Sequence, residues 1–235
     1  MITPTVEAYL EIIYMMAVEE QPVIGARLAE ALHVSRPTVT ATLHRMERER
    51  LVRVNDRKEI HITPKGQAIA EHLQRRHRIV ERWLTDVLGL DWAKSDAEAH
   101  RLEHAMSDDV MERLNKHLGY PTTCPHGNPI PGNTRGAAPT HGTVFQLSQA
   151  REGEQVTVMR ISEYGENVAE LLDYLGARGI VPGAQITVSE IVPLKGPLTL
   201  QVGARTTSMS REVADFVWVK RETLRLRSGH GSGQG

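Results

Sequence analysis

The sequence predicts an α+β chain built of three successive parts, two helical segments and then a small β-barrel. Three observations predict it. Apolar residues recur at helical spacing from residue 6 to 46 and again from 69 to 88, with helix-cap residues ahead of each run. Short alternating runs bounded by turn residues occur at 51–62 and from about 142 to 222. Between them Pro121, Pro125, Pro129, Pro131 and Pro139 mark an irregular linker over 120–141. The expected parts are therefore residues 1–63, 64–141 and 142–222, with a Gly/Ser-rich flexible tail at 223–235.

A chain of 235 residues can form two or three modest cores. Its 40% hydrophobic and 24% charged residues are those of an ordinary soluble protein. No run approaches the ~18 apolar residues that a membrane helix needs. The start, Met1-Ile2-Thr3-Pro4, lacks a basic region followed by an apolar stretch, so no secretory signal is expected. The single cysteine, Cys124, cannot make an internal disulfide. These three features point to a cytoplasmic protein with no membrane partner. The net charge of −1 is uninformative, but residues 24–58 hold eight Lys/Arg against four Asp/Glu. A local basic excess on a neutral chain points to phosphate.

Thr3 caps the first helix and Pro4 occupies its first position, where a missing N–H costs little. Val6, Tyr9, Leu10, Ile13, Met16 and Ala17 form its buried face, with Glu7 and Glu11 four apart on one flank. A short helix around Arg27–Leu32 and a tight turn at His33-Val34 lead to Ser35, a natural cap for a helix with Pro37 in its first turn. Val39, Leu43 and Met46 face inward. Arg36, Thr38, Thr40, His44, Arg45 and Arg48 face outward. Leu51–Val54 and Ile60–Ile62 then alternate as strands around Asn55-Asp56-Arg57-Lys58. Helix, turn, helix and a hairpin with a basic tip make a winged helix-turn-helix, whose second helix fits a major groove. Double-stranded DNA is the expected partner. Ser35, Pro37 and Thr38 are the candidate base contacts, and Arg27, Arg45, Arg48 and Arg57 the candidate phosphate contacts.

Thr63-Pro64-Lys65-Gly66 starts a long helix whose apolar seam (Ile69, Leu73, Val80, Leu84, Val87, Leu88) suits subunit pairing, with Gly89 just past its end. His77 and Glu81 lie four apart on it. Ser95, with Glu98 three residues on, reads as the capping box of the next helix. On that helix Asp96, His100, Glu103 and His104 fall on one stripe. An antiparallel hairpin brings the two imidazole-carboxylate stripes to similar depth, a candidate metal site. The competing reading is two solvated polar faces. Another short helix is expected from Ser107 to Gly119. Cys124 and His126 could ligate a metal but lack two further partners, so they read as structural. Further on, runs at 155–160, 185–191, 198–202 and 216–220 read as strands and 167–175 as a helix.

These residues resemble the diphtheria-toxin-repressor family of metal-dependent transcription regulators over nearly all of residues 3–221. The resemblance rests on Ser35-Arg36-Pro37-Thr38-Val39, Arg45-Met46-Glu47-Arg48, Thr63-Pro64-Lys65-Gly66, Arg76-His77-Arg78 with Glu81-Arg82, and Leu84-Thr85-Asp86. It continues through Glu103-His104-Ala105-Met106-Ser107-Asp108 and Gly127-Asn128-Pro129-Ile130-Pro131-Gly132. It implies a homodimer that binds Mn(II) or Fe(II), two ions per subunit, then clamps a palindromic operator and represses metal-uptake genes. It also implies that the C-terminal part is an SH3-like, FeoA-type barrel. By position, His77, Glu81 and Asp96 match an ancillary metal site, reached from the SH3-like domain by Glu163 and Glu166. His100, Glu103 and His104 match the activating site. His100 stands where iron-responsive members have cysteine and manganese-responsive ones a carboxylate. Ala8 replaces a usual ligand, and Glu11, with Glu7, could complete that shell. The imidazole-carboxylate set favours Mn(II), then Fe(II), over soft ions.

The implied mechanism is a switch. Metal ties the winged domain to the dimer helices and holds two recognition helices one DNA turn apart, ~34 Å. Moving the competent state from 1 to 99 per cent requires roughly 5.5 kcal/mol of differential affinity. Two other readings compete. His100-Arg101-Leu102-Glu103-His104 fits H-x-x-E-H, a zinc-hydrolase signature. A dimeric winged-helix regulator could also answer to a small organic ligand.

Overall fold

In the computed structural model the described residues are 2–133, 144–162 and 168–222. The N-terminal part comprises α1 (Pro4–Val18), α2 (Gly25–Ala31), α3 (Arg36–Arg48), β1 (Val52–Val54) and β2 (Ile60–Ile62). The two strands pair antiparallel with Arg53 opposite His61, which forms the wing. Val6, Tyr9, Leu10, Ile13 and Met16 of α1 pack with Leu28, Val39, Leu43 and Met46 in one core. Ala17, expected on that face, is exposed, because the buried stripe of α1 ends at Met16. Ser35 caps α3 through the Thr38 amide at 3.3 Å.

The second part is α4 (Pro64–Asp86), α5 (Trp92–Leu102) and α6 (Asp108–His117). Thr63 caps α4, accepting from Gly66 N at 3.1 Å and donating to the Arg50 and Leu51 carbonyls. Val87 and Leu88 lie past the end of α4 and are exposed. α5 begins three residues before the expected cap. Asp91 caps it by accepting from Ala93 N at 3.0 Å, while Ser95 lies buried inside the helix and donates to Trp92 O at 2.7 Å. The reason is tertiary: Ala93 is buried in the C-terminal core and Trp92 packs against it, so the helix must start early enough to carry both.

The C-terminal part is β3 (Val144–Gln146), β4 (Gln155–Ile161), α7 (Val168–Gly176), β5 (Gln185–Ile191), β6 (Leu198–Val202), β7 (Arg205–Met209), α8 (Arg211–Ala214) and β8 (Val217–Arg221). Its six strands form one antiparallel sheet in the order β3-β8-β4-β5-β6-β7. β3, β7 and α8 are additional to the elements that the sequence pattern predicts. α7 packs on the start of α5, where a Cβ on Gly176 would come 2.5 Å from Trp92 Nε1. The second and third parts thus share packing. Glu163, Glu166 and the tail from 223 lie outside the described residues.

Candidate metal centre

α4 and α5 run side by side and bring the two stripes together. His77, buried at the centre of α4, contacts carboxylates through both ring nitrogens. Nδ1 lies 2.8 Å from Glu103 Oε2, and Nε2 lies 3.3 Å from Asp96 Oδ1 and 3.5 Å from Glu81 Oε1. Glu103, at the C-terminal cap of α5, turns its other oxygen to His100 Nδ1 and His104 Nε2, each at 3.2 Å. Glu103 Oε1 is buried and accepts no hydrogen bond of good geometry from either. His104 Nδ1 in turn sits 3.9 Å from Glu7 Oε2 on α1. Ligand atoms of His77, His100 and Glu103 lie within 4.8 Å of one another, as do those of His77, Glu81 and Asp96.

A third group includes Cys124 and His126, which sequence spacing alone leaves without further partners. Glu81, Cys124 and His126, all buried, also place ligand atoms within 4.8 Å of one another. Glu81 Oε1 is 2.9 Å and Cys124 Sγ 3.9 Å from His126 Nδ1. The missing partner lies 43 residues before Cys124 in sequence, and the fold of the 120–133 loop back over α4 supplies it. That loop is fixed by Cys124 N to Asn128 O at 2.8 Å and by Arg78 and Arg82 donating to the Pro129 and Thr123 carbonyls. His126 Nε2 lies 2.9 Å from the Trp92 carbonyl, which can only accept. With Nε2 donating to that carbonyl, Nδ1 is the ring nitrogen that faces the carboxylate and the thiol. An imidazole, a carboxylate and a thiol so grouped can hold a cation.

The electrostatics agree. Glu11, buried beside the cluster on α1, is pushed up to about 7, first by burial and then by the charge of Glu103, with His77 and His100 opposing. Burial works against a charge on His77, but the Glu81 charge and the hydrogen bonds His77 donates to Asp96, Glu103 and Glu81 outweigh it and hold its pKa well above the usual value. The Glu103 carboxylate beside it raises His100. Burial would raise Glu103, yet His100 and His77 leave it lowered. Protons on imidazoles thus occupy places that a divalent cation would neutralise more completely.

The nucleic-acid face is simple. Ser35, Arg36, Pro37, Thr38 and Thr40 are exposed on the first turns of α3, and Arg48 and Arg57 are exposed at its end and on the wing. Two of the four candidate phosphate contacts have internal partners: Arg45 Nε bonds Glu49 at 3.0 Å, and Arg27 Nη1 donates to Gln21 at 2.7 Å. No helix among the described residues is long and apolar enough to cross a membrane.

Comparison with known proteins follows the same division. Residues 1–60 match the iron dependent repressor N-terminal DNA binding domain, 63–132 the iron dependent repressor metal binding and dimerisation domain, and 145–221 the FeoA domain. The chain is 39% identical over 224 residues to the iron-dependent repressor IdeR of Mycobacterium leprae, covering 92% of this chain and 97% of the relative. It is 35% identical over 223 residues to the diphtheria toxin repressor of Corynebacterium diphtheriae, covering 92% and 96%. Among solved structures, a manganese-dependent transcriptional repressor in complex with manganese superposes with a TM-score of 0.80 at 30% identity, over 92% of this chain and all of that one. ScaR with bound Zn2+ gives 0.79 at 27% identity, over 93% of this chain and all of that one. The first three of these relatives are named as repressors. The chain belongs to the diphtheria toxin repressor family of iron-dependent repressors.

Proposed function

We propose that this protein is a cytoplasmic, metal-activated repressor that binds a palindromic operator as a homodimer and controls metal-uptake genes. The observation that carries the reading is the convergence of two separate donor sets on α4. His77, His100 and Glu103 form the first, with Glu11, His104 and Glu7 around it. Glu81, Cys124 and His126 form the second. This division uses no residue twice, and gives two ions per subunit. Asp96 then accepts from His77 Nε2 and leaves Nδ1 for the metal, the usual carboxylate-histidine arrangement behind a ligand. The first centre is imidazole and carboxylate and suits Mn(II) or Fe(II), Mn(II) foremost. The second contains a thiol and tolerates softer ions. Glu7 and Glu11 lie on α1, so metal at the first centre ties the winged-helix domain to α4 and α5. The exposed Val87 and Leu88 at the end of α4 offer apolar surface for pairing subunits.

Metal titration tests this. Full-length protein should bind two Mn(II) per chain. Glu103→Gln and Cys124→Ser should each lose a different equivalent, and the double variant both. One equivalent in the parent, or two in the double variant, contradicts the division. The grouping of His77, Glu81 and Asp96 supports a second reading, a site of those three residues. Asp96→Asn separates the two. An orienting role lowers affinity by about 10- to 100-fold with stoichiometry kept, whereas a ligand role in that site loses an equivalent.

A further inference from the structure

Arg160 joins the loop that bears Cys124 and His126, the SH3-like sheet and the winged-helix domain. It lies on β4 opposite Trp218 of β8, just after a register shift between Val158 and Arg160. Such a shift re-aims the side chain that follows it. The guanidinium stacks on the Trp218 ring at 4.3 Å and reaches Glu19, the residue that closes α1. Arg160 Nη1 bonds Glu19 Oε1, and Nη2 lies 3.3 Å from Oε2. Trp218 Nε1 donates to the same carboxylate at 2.7 Å. Glu19 and Arg160 are both buried. A buried two-pronged pair fixes angle as well as distance, and removing either partner strands the other charge.

The opposite edge of this junction is the candidate metal loop. Ile161 N donates to His126 O at 2.9 Å, and Asn128 Nδ2 donates to Ile161 O at 2.8 Å. Asn128 Oδ1 lies 3.4 Å from Arg160 Nη1. Between them Gly127, at φ +86°, lets backbone meet backbone: a Cβ there would fall 2.2 Å from Met159 O. Only glycine tolerates both conditions.

We propose that Arg160, Glu19 and Trp218 are positioning residues for DNA binding, through which order at the Cys124–His126 loop fixes the winged-helix domain. The SH3-like domain is then a strut that spans from the second metal centre to the end of α1. Domains of one chain move relative to one another unless their interface is pinned, and this junction pins them. The inference rests on the second centre holding metal, as proposed above.

The test uses full-length Glu19→Gln and Trp218→Phe, the latter keeping an aromatic ring but removing the indole N–H. Three quantities are compared with the parent: Mn(II) affinity, operator affinity in Mn(II), and backbone hydrogen exchange with and without Mn(II). In the parent, Mn(II) should slow exchange together in 126–128, 159–162 and 15–24. In Glu19→Gln the slowing should persist in the first two segments and vanish in 15–24. Operator affinity should fall at least about tenfold, with Mn(II) affinity within about twofold. Trp218→Phe should do the same to a smaller degree. Parent-like protection of 15–24 in Glu19→Gln overturns the proposal. So does a loss of operator affinity that merely tracks a loss of Mn(II) affinity. Operator binding by the parent that ignores metal would instead overturn the repressor reading, while the exchange comparison still decides the strut.

Discussion

Replacing Glu11 by glutamine should stabilise the metal-free protein at pH 8 and weaken its response to metal. Glu11 is 9% exposed, and its carboxyl is pushed up to about 7 from the ordinary 4.5, by burial first and the Glu103 charge second. A carboxyl raised on folding opposes the folded state once it must ionise. Nothing is lost below pH 4.5, and the full cost is reached above pH 7. The shift of about 2.5 units corresponds to about 3 kcal/mol at pH 8 and less than about 1 kcal/mol at pH 5. Glutamine fits the same space without ionising. Urea unfolding in chelator should therefore show Glu11→Gln more stable than the parent by about 3 kcal/mol at pH 8, with the gain falling below about 1 kcal/mol at pH 5. Saturating Mn(II) should reverse the order, because a cation rewards the carboxylate and not the amide. A difference that is the same at both pH values, or that survives saturating Mn(II), refutes the reasoning.

Three further outcomes follow from the same contacts. Gly66→Ala should lower unfolding free energy by about 3 kcal/mol or more, read by thermal or urea unfolding, since its Cβ would lie 2.2 Å from the Leu51 carbonyl on fixed backbone. Asp91→Ala should cost about 1 kcal/mol in the same assay by removing the cap of α5. On DNA, Arg57→Ala should weaken all sequences alike and reduce the salt slope by about one unit, while Thr38→Ala should relax sequence preference with the slope kept, as read by anisotropy over a salt series.

Local chemistry made much of this molecule legible. Ser35 before Pro37 and Thr63 before Pro64 cap α3 and α4 as their sequences require, and the His/Glu spacings bring His77, His100 and Glu103 together where α4 meets α5. Non-local packing hid the rest. Asp91 and Ser95 are both good caps, and only the burial of Ala93 and packing of Trp92 against the C-terminal core choose between them. Cys124 and His126 were visible as a pair. Their third partner, Glu81, is contributed by a helix far upstream, and the sequence had already given that residue to His77 and Asp96. β3 and β7 are short edge strands: the side chains of β3 are all half-buried, and β7 is polar and mostly exposed up to Met209, so period-two apolar alternation is faint in both. The link from Glu19 to Arg160 spans 141 residues and three domains, and no spacing rule could reveal it.

In the proposed function, metal on α4 and α5 sets DNA affinity. The most direct test is anisotropy with a palindromic operator selected from random sequence, in chelator and in Mn(II), with His77→Ala as control. Tight binding is expected only in Mn(II), at least about a hundredfold above chelator, with loss of that gain in His77→Ala. Equal binding in chelator and Mn(II), or a His77→Ala protein that keeps the full gain, would contradict it.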